Sequence, residues 1–128
     1  MKYNLSEITA VIQNRRTIFP EQYSKRKVAK EIVEKILNNA IWAPNHGMTQ
    51  PWRFKVFMEE GIEKLANFQS DHYKEITPAE QFDEGKFEKF RTRPLLASVV
   101  IAICMERQQS EKIPEMEEIE AVACAVQN

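Results

Sequence analysis

Residues 43–58, APNHGMTQPWRFKVFM, form the loop and the strand around which the rest of this chain can be organised. The first ten hold two prolines, a glycine, a histidine and two side-chain amides. Most connecting loops need only about 4–6 residues, and loops held between rigid elements often carry binding groups. Residues 52–58 alternate in polarity and predict a half-buried strand, with an inward face made of Trp52, Phe54, Val56 and Met58.

The residues before this segment predict two helices. Asn4, with Glu7 three positions later, resembles an N-cap pair, and the helix that follows should end near Asn14. From Lys27 to Ile41, apolar residues recur at helical spacing and predict the strongest helix of the chain. Pro44 should stop it, because proline disfavours a helical conformation in the residue before it.

The residues after the strand predict three more helices and a second strand. One amphipathic helix should run to about Ile76, and a weaker one to about Arg91. Leu95 to Met105 is apolar and rich in β-branched residues, as in a strand that is covered on both faces. Pro114 should open a last helix. Five helices and two strands predict an α+β fold. The last helix carries no stop signal before Asn128, so we expect that residues 1–128 are part of a domain or that a partner completes it.

Composition excludes several classes of function. The chain has 128 residues and a net charge of −1, so its overall field does not favour nucleic acid or an anionic membrane. No apolar run is long enough to span a bilayer, and no signal peptide is visible. Cys104 and Cys124 lie among apolar neighbours, which predicts two buried thiols in a reducing compartment. We therefore expect a cytoplasmic protein that does not bind nucleic acid or membrane.

Arg15, Arg16 and Thr17 are the first candidate binding group. Two guanidiniums and a hydroxyl supply the converging donors and the positive charge that a phosphate group needs. The alternative is structural, because arginines at the end of a helix also interact favourably with its dipole.

Asn45, His46 and Gln50 are the second candidate group. Side-chain amides both donate and accept hydrogen bonds, which suits the edge of a flat heterocycle, and His46 could donate to a hydroxyl or a phosphate oxygen. The alternative is that these side chains satisfy the backbone of their own loop. Trp42, at the end of the preceding helix, could close one side of a pocket.

Several other kinds of site are not supported. His46 and His72 lack metal-ligand spacing, and HExxH and CxxC motifs are missing. Glycine occurs only at positions 47, 61 and 85, so a glycine-rich phosphate loop cannot form. We expect no bound metal.

The order of these motifs resembles that of the FMN-dependent nitroreductase family, in its compact bacterial form. The resemblance runs from Asn14-Arg15-Arg16-Thr17 through Ala43-Pro44-Asn45-His46 and Gln50-Pro51-Trp52 to Arg93-Pro94 and the apolar strand, and it ends in residues 121–127. It implies an α+β fold with a mainly antiparallel sheet, and an intimate homodimer with FMN at the dimer interface.

The resemblance also implies roles for individual residues. The residues implied to bind FMN are Arg15, Arg16, Thr17, Trp42, Asn45, His46 and Gln50. Arg15 to Thr17 would hold the phosphate and ribityl groups, whereas Asn45 and His46 would reach FMN from the partner chain. NADH or NADPH would reduce the flavin, and a nitroaromatic, quinone or related acceptor would reoxidise it. No catalytic residue is implied, because the cofactor carries the chemistry.

Two substitutions and the length of the chain depart from the pattern of the family. Many members have asparagine where this chain has Met48, and compact members often have arginine in place of Trp42. Members also continue into a segment that supplies further flavin contacts. The alternative hypothesis is therefore a truncated, non-catalytic module that binds flavin or mediates dimer contacts.

Overall fold

The computed structural model describes residues 3–128. Within them the chain forms five α-helices and two β-strands. The elements are α1 (Leu5–Asn14), α2 (Lys30–Ala40), β1 (Trp52–Met58), α3 (Glu60–Ile76), α4 (Glu84–Thr92), β2 (Val99–Met105) and α5 (Glu115–Gln127). The α+β fold class and the number and order of these elements confirm the predictions from the sequence.

The two strands pair antiparallel. Trp52 lies opposite Met105, and Met58 lies opposite Val99. Strand β1 has the predicted bounds. Strand β2 starts four residues later than predicted, because Arg93–Leu96 forms a short 3-10 helix around Pro94, which has no N–H for a strand ladder.

Hydrogen bonds from backbone N–H groups to side chains, one local and one tertiary, accompany the starts of α1 and α2. Asn4 caps α1 as predicted, and its side chain accepts from the backbone N–H groups of Ser6 and Glu7. Helix α2 begins at Lys30, three residues later than predicted. The reason is tertiary, since the N–H of Val28 donates to Ser98 Oγ at 3.3 Å and keeps this segment close to the start of β2.

The core lies where α2 and α5 meet β1. Trp52 is only 6% exposed and anchors it, as the sequence predicted. The other buried members are small alanines, which let α5 approach the sheet closely. The cluster consists of Ala40, Ala43, Trp52, Ala121 and Ala125, with Phe54 and Val122 packed against it.

Two predictions about burial were wrong. Strand β2 is not covered on both faces, since Ile103 and Cys104 are exposed. Cys124 is also exposed, so neither thiol is a core residue. Helix α5 buries its alanine face, whereas Ile119 and Val126 remain exposed. All of these exposed residues have the same cause, because too few elements of this chain pack beside β2 and α5 to cover both faces of each.

Much apolar surface remains uncovered in the single chain. Its accessible surface is 10471 Å², whereas a folded monomer of this mass exposes about 7,000 Å². Helix α1 buries no residue. Its apolar face, which we call the α1 face, is exposed and consists of Leu5, Ile8, Val11 and Ile12. Among residues 3–128, no helix has the length and apolar character to cross a membrane.

Candidate functional site

The loop between α2 and β1 has an unusual backbone. Three of its residues have positive φ angles: 59° at Gly47, 54° at Met48 and 45° at Gln50. Glycine adopts this left-handed conformation readily, but a residue with a side chain does so only when its surroundings impose it. Backbone held in this way is typical of binding sites.

The side chain of Asn45 holds this loop together. Its Oδ1 accepts from the N–H of Gln50 at 3.0 Å, and its Nδ2 donates to the carbonyl of Ala43 at 3.4 Å. The structural alternative foreseen from the sequence therefore applies to Asn45 within one chain. One amide hydrogen and one lone pair are left for a ligand.

His46 bonds to the last helix. Its Nδ1 lies 2.6 Å from Glu117 Oε2 in the first turn of α5. Gly47 lies beside Ile113, since a Cβ at this position would be 3.3 Å from Ile113 Cδ1. The loop is thus fixed to the segment that leads into α5, and no described residue bonds to His46 Nε2.

A shallow cavity of about 450 Å³ opens beside this loop, and we call it the loop cavity. Trp42, Asn45 and Gln50, three of the predicted flavin ligands, line it together with Met48. The indole of Trp42 is 83% exposed, so one wall of the cavity is a free aromatic face. The full lining is Ile41, Trp42, Ala43, Pro44, Asn45, Met48 and Gln50.

The predicted phosphate group lies at the end of α1. Arg15 is the C-terminal capping position of this helix. The Nη1 of Arg16 donates to the carbonyls of Gln13 at 2.7 Å and Arg15 at 2.9 Å. Arg16 thus binds the helix end, as the structural alternative foresaw, yet its Nε and Nη2 donors have no partner among residues 3–128.

Thr17 lines a second and larger cavity of about 730 Å³, which we call the Thr17 cavity. Apolar side chains from α3, β2 and the 18–23 segment form most of its wall. Three cations, Lys86, Lys89 and Arg93, line the same cavity. Their spacing of three and four residues, which puts them on one helix face, was the signal in the sequence. Nothing in the sequence places this face beside Thr17, so its part in the cavity is visible only in the tertiary structure.

The two candidate groups do not meet within one chain. The Thr17 cavity includes Val99 to Ile101 at the start of β2, whereas the loop cavity includes Gln50, two residues before Trp52, which pairs with the last residue of β2. A seven-residue strand is about 20 Å long, so the cavities lie toward opposite ends of the sheet. The Thr17 cavity and the loop cavity share no lining residue, so neither group lines the cavity of the other.

The acidic run at the start of α5 has specific partners that sequence reasoning missed. Glu118 is 1% exposed, and its Oε1 accepts from the N–H of Gln108 at 3.3 Å. Its Oε2 lies 3.9 Å from Arg107 Nε. Together with the His46–Glu117 contact, this anchors two loops to the same helix end.

These features define an α+β protein with a two-stranded antiparallel sheet and several ligand-sized cavities, of which the Thr17 cavity is lined by three cations. Comparison with known proteins then gives the family. The family model described as "Nitroreductase family" matches residues 12–128. The chain belongs to the nitroreductase family, as its motifs indicated.

Individual relatives agree with this assignment. The chain is 29% identical over 96 residues to the Escherichia coli K12 protein named "Putative NAD(P)H nitroreductase YdjA", a match that covers 75% of this chain and 50% of the relative. A solved nitroreductase-like family protein from Bacillus cereus is 26% identical with a TM-score of 0.70, covering 99% of this chain and 63% of that one.

A second solved structure supports the fold alone. It is described as a "putative nitroreductase in complex with fmn" from Desulfovibrio desulfuricans, and it is 23% identical with a TM-score of 0.67. The match covers 98% of this chain and 60% of that one. The chain thus spans between half and two thirds of the length of these relatives.

Proposed function

We propose that this chain is part of an FMN-dependent oxidoreductase that uses NADH or NADPH to reduce nitroaromatic, quinone or related acceptors. The Thr17 cavity is the observation that carries the proposal. Its volume of about 730 Å³ lies within the range of ligand sites, about 300–1,000 Å³. Apolar walls suit a flat ring system, and the adjoining Arg15 and Arg16 suit its phosphate.

The residues of the chain would have separate tasks in such a site. Arg15, Arg16 and Thr17 would hold the phosphate and ribityl groups, with the donors of Arg16 that α1 leaves unused. Arg93, whose Nε is 3.1 Å from Glu21 Oε1, would add positive potential at the cavity wall. Bound FMN would supply the hydride chemistry, in alternation between donor and acceptor, so the protein needs no acid or base of its own.

We further propose that the working unit is a homodimer. Asn45, Gln50 and Trp42 lie on the loop cavity, at the other end of the sheet from Thr17. They can contact a flavin in the Thr17 cavity only from a second chain, and His46 Nε2 could do so too. The uncovered α1 face and the exposed residues of α5 provide apolar surface for such an assembly.

A non-catalytic flavin-binding or interaction module is the second candidate. Trp42 and Met48, which are strongly exposed on the loop cavity, favour it, because both remove a polar contact that family members often have. Bound FMN that neither NADH nor NADPH can reduce would support this module over the enzyme. For either candidate we propose a cytoplasmic location, where the two exposed thiols would stay reduced.

Replacing Arg15 tests the flavin site directly. We expect Arg15→Ala to weaken FMN binding by about 1.5–3 kcal/mol, the range for a hydrogen bond to a charged group. The dissociation constant is measured by quenching of flavin fluorescence. Arg91→Ala on α4 is the control, because it removes the same charge away from both cavities. Equal affinity of the two variants would refute the role of Arg15, and a wild-type chain that ignores FMN would refute the proposed function.

A further inference from the structure

We propose that the basic face of α4 binds the phosphates of the hydride donor, so that a phosphorylated dinucleotide is preferred over a neutral reductant. This inference rests on the proposed function and names the donor class for the same site. Lys86 and Lys89 lie on α4, and Arg93 is the residue that caps its C-terminus in helical conformation. Because the three follow each other at intervals of three and four residues, they lie on one face, which we call the basic face of α4. All three line the Thr17 cavity.

The charges of this face are largely uncompensated. Arg93 pairs with Glu21 at 3.1 Å. Among residues 3–128, no carboxylate lies within 4.0 Å of the ammonium group of Lys86 or Lys89. Instead Lys86 Nζ lies 5.0 Å from the ring centre of Tyr73 and 5.8 Å from that of Phe90. These aromatic rings hold the ammonium at the cavity without neutralising it.

The spacing of the charges fits a dinucleotide. Arg93 comes seven positions after Lys86, which corresponds to about 10 Å along a helix. A dinucleotide donor carries a pyrophosphate, and NADPH carries a third phosphate on its ribose. In the proposed site, Arg15, Arg16 and Thr17 bind the single phosphate of FMN, so the basic face of α4 is not needed for it. A basic cleft on a chain with a net charge of −1 concentrates anionic ligands.

The test compares donors that differ in charge. The FMN-loaded chain carrying both Lys86→Gln and Lys89→Gln is assayed with NADH, with NADPH and with 1-benzyl-1,4-dihydronicotinamide, a reduced nicotinamide without phosphate. We expect the KM for NADH to rise about 3- to 10-fold relative to the KM for the neutral donor. This is the effect expected from the loss of two exposed ion pairs between lysine and phosphate. The rise in KM should be larger for NADPH, which carries one more phosphate. It should be smaller at high salt, because salt screens interactions between exposed charges.

A binding measurement gives a second readout. Isothermal titration calorimetry with the unreactive analogue 1,4,5,6-tetrahydro-NADPH should show a matching loss of affinity in the double variant. The matched control is Lys35→Gln with Lys55→Gln, which changes the net charge equally on exposed positions away from the Thr17 cavity.

Three outcomes would overturn the proposal. In the first, the double variant leaves the ratio of the KM values for the charged and neutral donors unchanged. In the second, the control variant changes this ratio as much as the double variant does. In the third, the double variant loses as much affinity for FMN as for the donor. The last would mean that the lysines serve the flavin. A wild-type chain that binds no FMN would refute the proposed function separately, and the titration with the analogue would still test the lysines.

Discussion

The left-handed residues of the loop 46–50 show what single side chains contribute. Met48 has a φ angle of 54°, a conformation that costs an ordinary residue on the order of 1 kcal/mol and costs asparagine less. Asparagine, which the family resemblance leads us to expect here, would adopt this conformation at a lower cost, so Met48 adds backbone strain to the loss of a polar contact. The hydrogen bond from the N–H of Gln50 to Asn45 and the His46–Glu117 contact hold this conformation.

Gly47→Ala tests the backbone requirement. We expect a loss of about 1–2 kcal/mol in the free energy of unfolding, because a Cβ disfavours the left-handed conformation. The same Cβ would also crowd Ile113 at 3.3 Å. The measurement is urea denaturation followed by circular dichroism.

Gly61→Ala is the matched control for this change. Gly61 lies within α3, where a Cβ would meet Phe57 at an ordinary 3.8 Å. Alanine is the better helix former, so this variant should be about 0.5–1 kcal/mol more stable than the wild type. If the two variants changed stability in the same direction, the strained loop would not be the cause.

At the scale of elements, α4 owes its start to Asp83 and its position to aromatic packing. Asp83 Oδ1 accepts from the N–H of Lys86 at 2.7 Å, and the N–H of Asp83 donates to Tyr73 Oη at 3.0 Å. The ring of Tyr73 packs against Phe82 and Phe90 with centroids 5.4 Å apart in both pairs. These contacts place the basic face of α4 beside the Thr17 cavity.

Asp83→Ala should weaken this arrangement. We expect a loss of about 1 kcal/mol in the free energy of unfolding, the usual cost of removing an N-cap. Urea denaturation measures this loss. Asp83→Asn, which keeps an acceptor, should retain most of the stability. Asp71→Ala, at an exposed position inside α3, serves as the control and should change stability little. A loss as large in Asp83→Asn as in Asp83→Ala would show that the cap hydrogen bond is not responsible.

At the scale of the molecule, the uncovered surface is the dominant feature. Exposed apolar residues lie on several elements, including α1, α2 and α5, and the two cavities lie toward opposite ends of the sheet. A two-fold dimer would cover part of the exposed apolar surface. It would also bring the Thr17 cavity of one chain close to the loop cavity of the other.

Val11→Glu on the α1 face tests this assembly. We expect the dimer to dissociate at least tenfold more readily, because a carboxylate without a partner would be buried in the interface. Sedimentation equilibrium measures the effect. Gln13→Glu adds the same charge to an exposed polar position of α1 and should leave the dimer intact. An unchanged dimer in the Val11 variant would exclude the α1 face from the interface, and a wild-type monomer would refute the dimer.

Sequence reasoning worked best where local rules act. The cap at Asn4, strand β1 and the ends of α1 and α3 follow from hydrogen-bonding side chains, from alternation and from apolar spacing, all of which are visible within a few residues. It failed where distant contacts decide. The segment 27–29 was predicted to be helical, but Ser98, seventy residues away, holds Val28 in another conformation.

The prediction of the functional site also succeeded for local features and failed for contacts between distant residues. By itself the sequence determined the family, the helices, the strands and the candidate ligands Arg15–Thr17 and Asn45–Gln50, because each depends on residue type and short spacing. Only the tertiary structure decided that Thr17 lines one cavity while Asn45 and Gln50 line another, that Lys86 and Lys89 join Thr17, and that His46 binds Glu117. Such contacts join residues far apart in the chain, and their geometry is set by how α4 and α5 pack on the sheet.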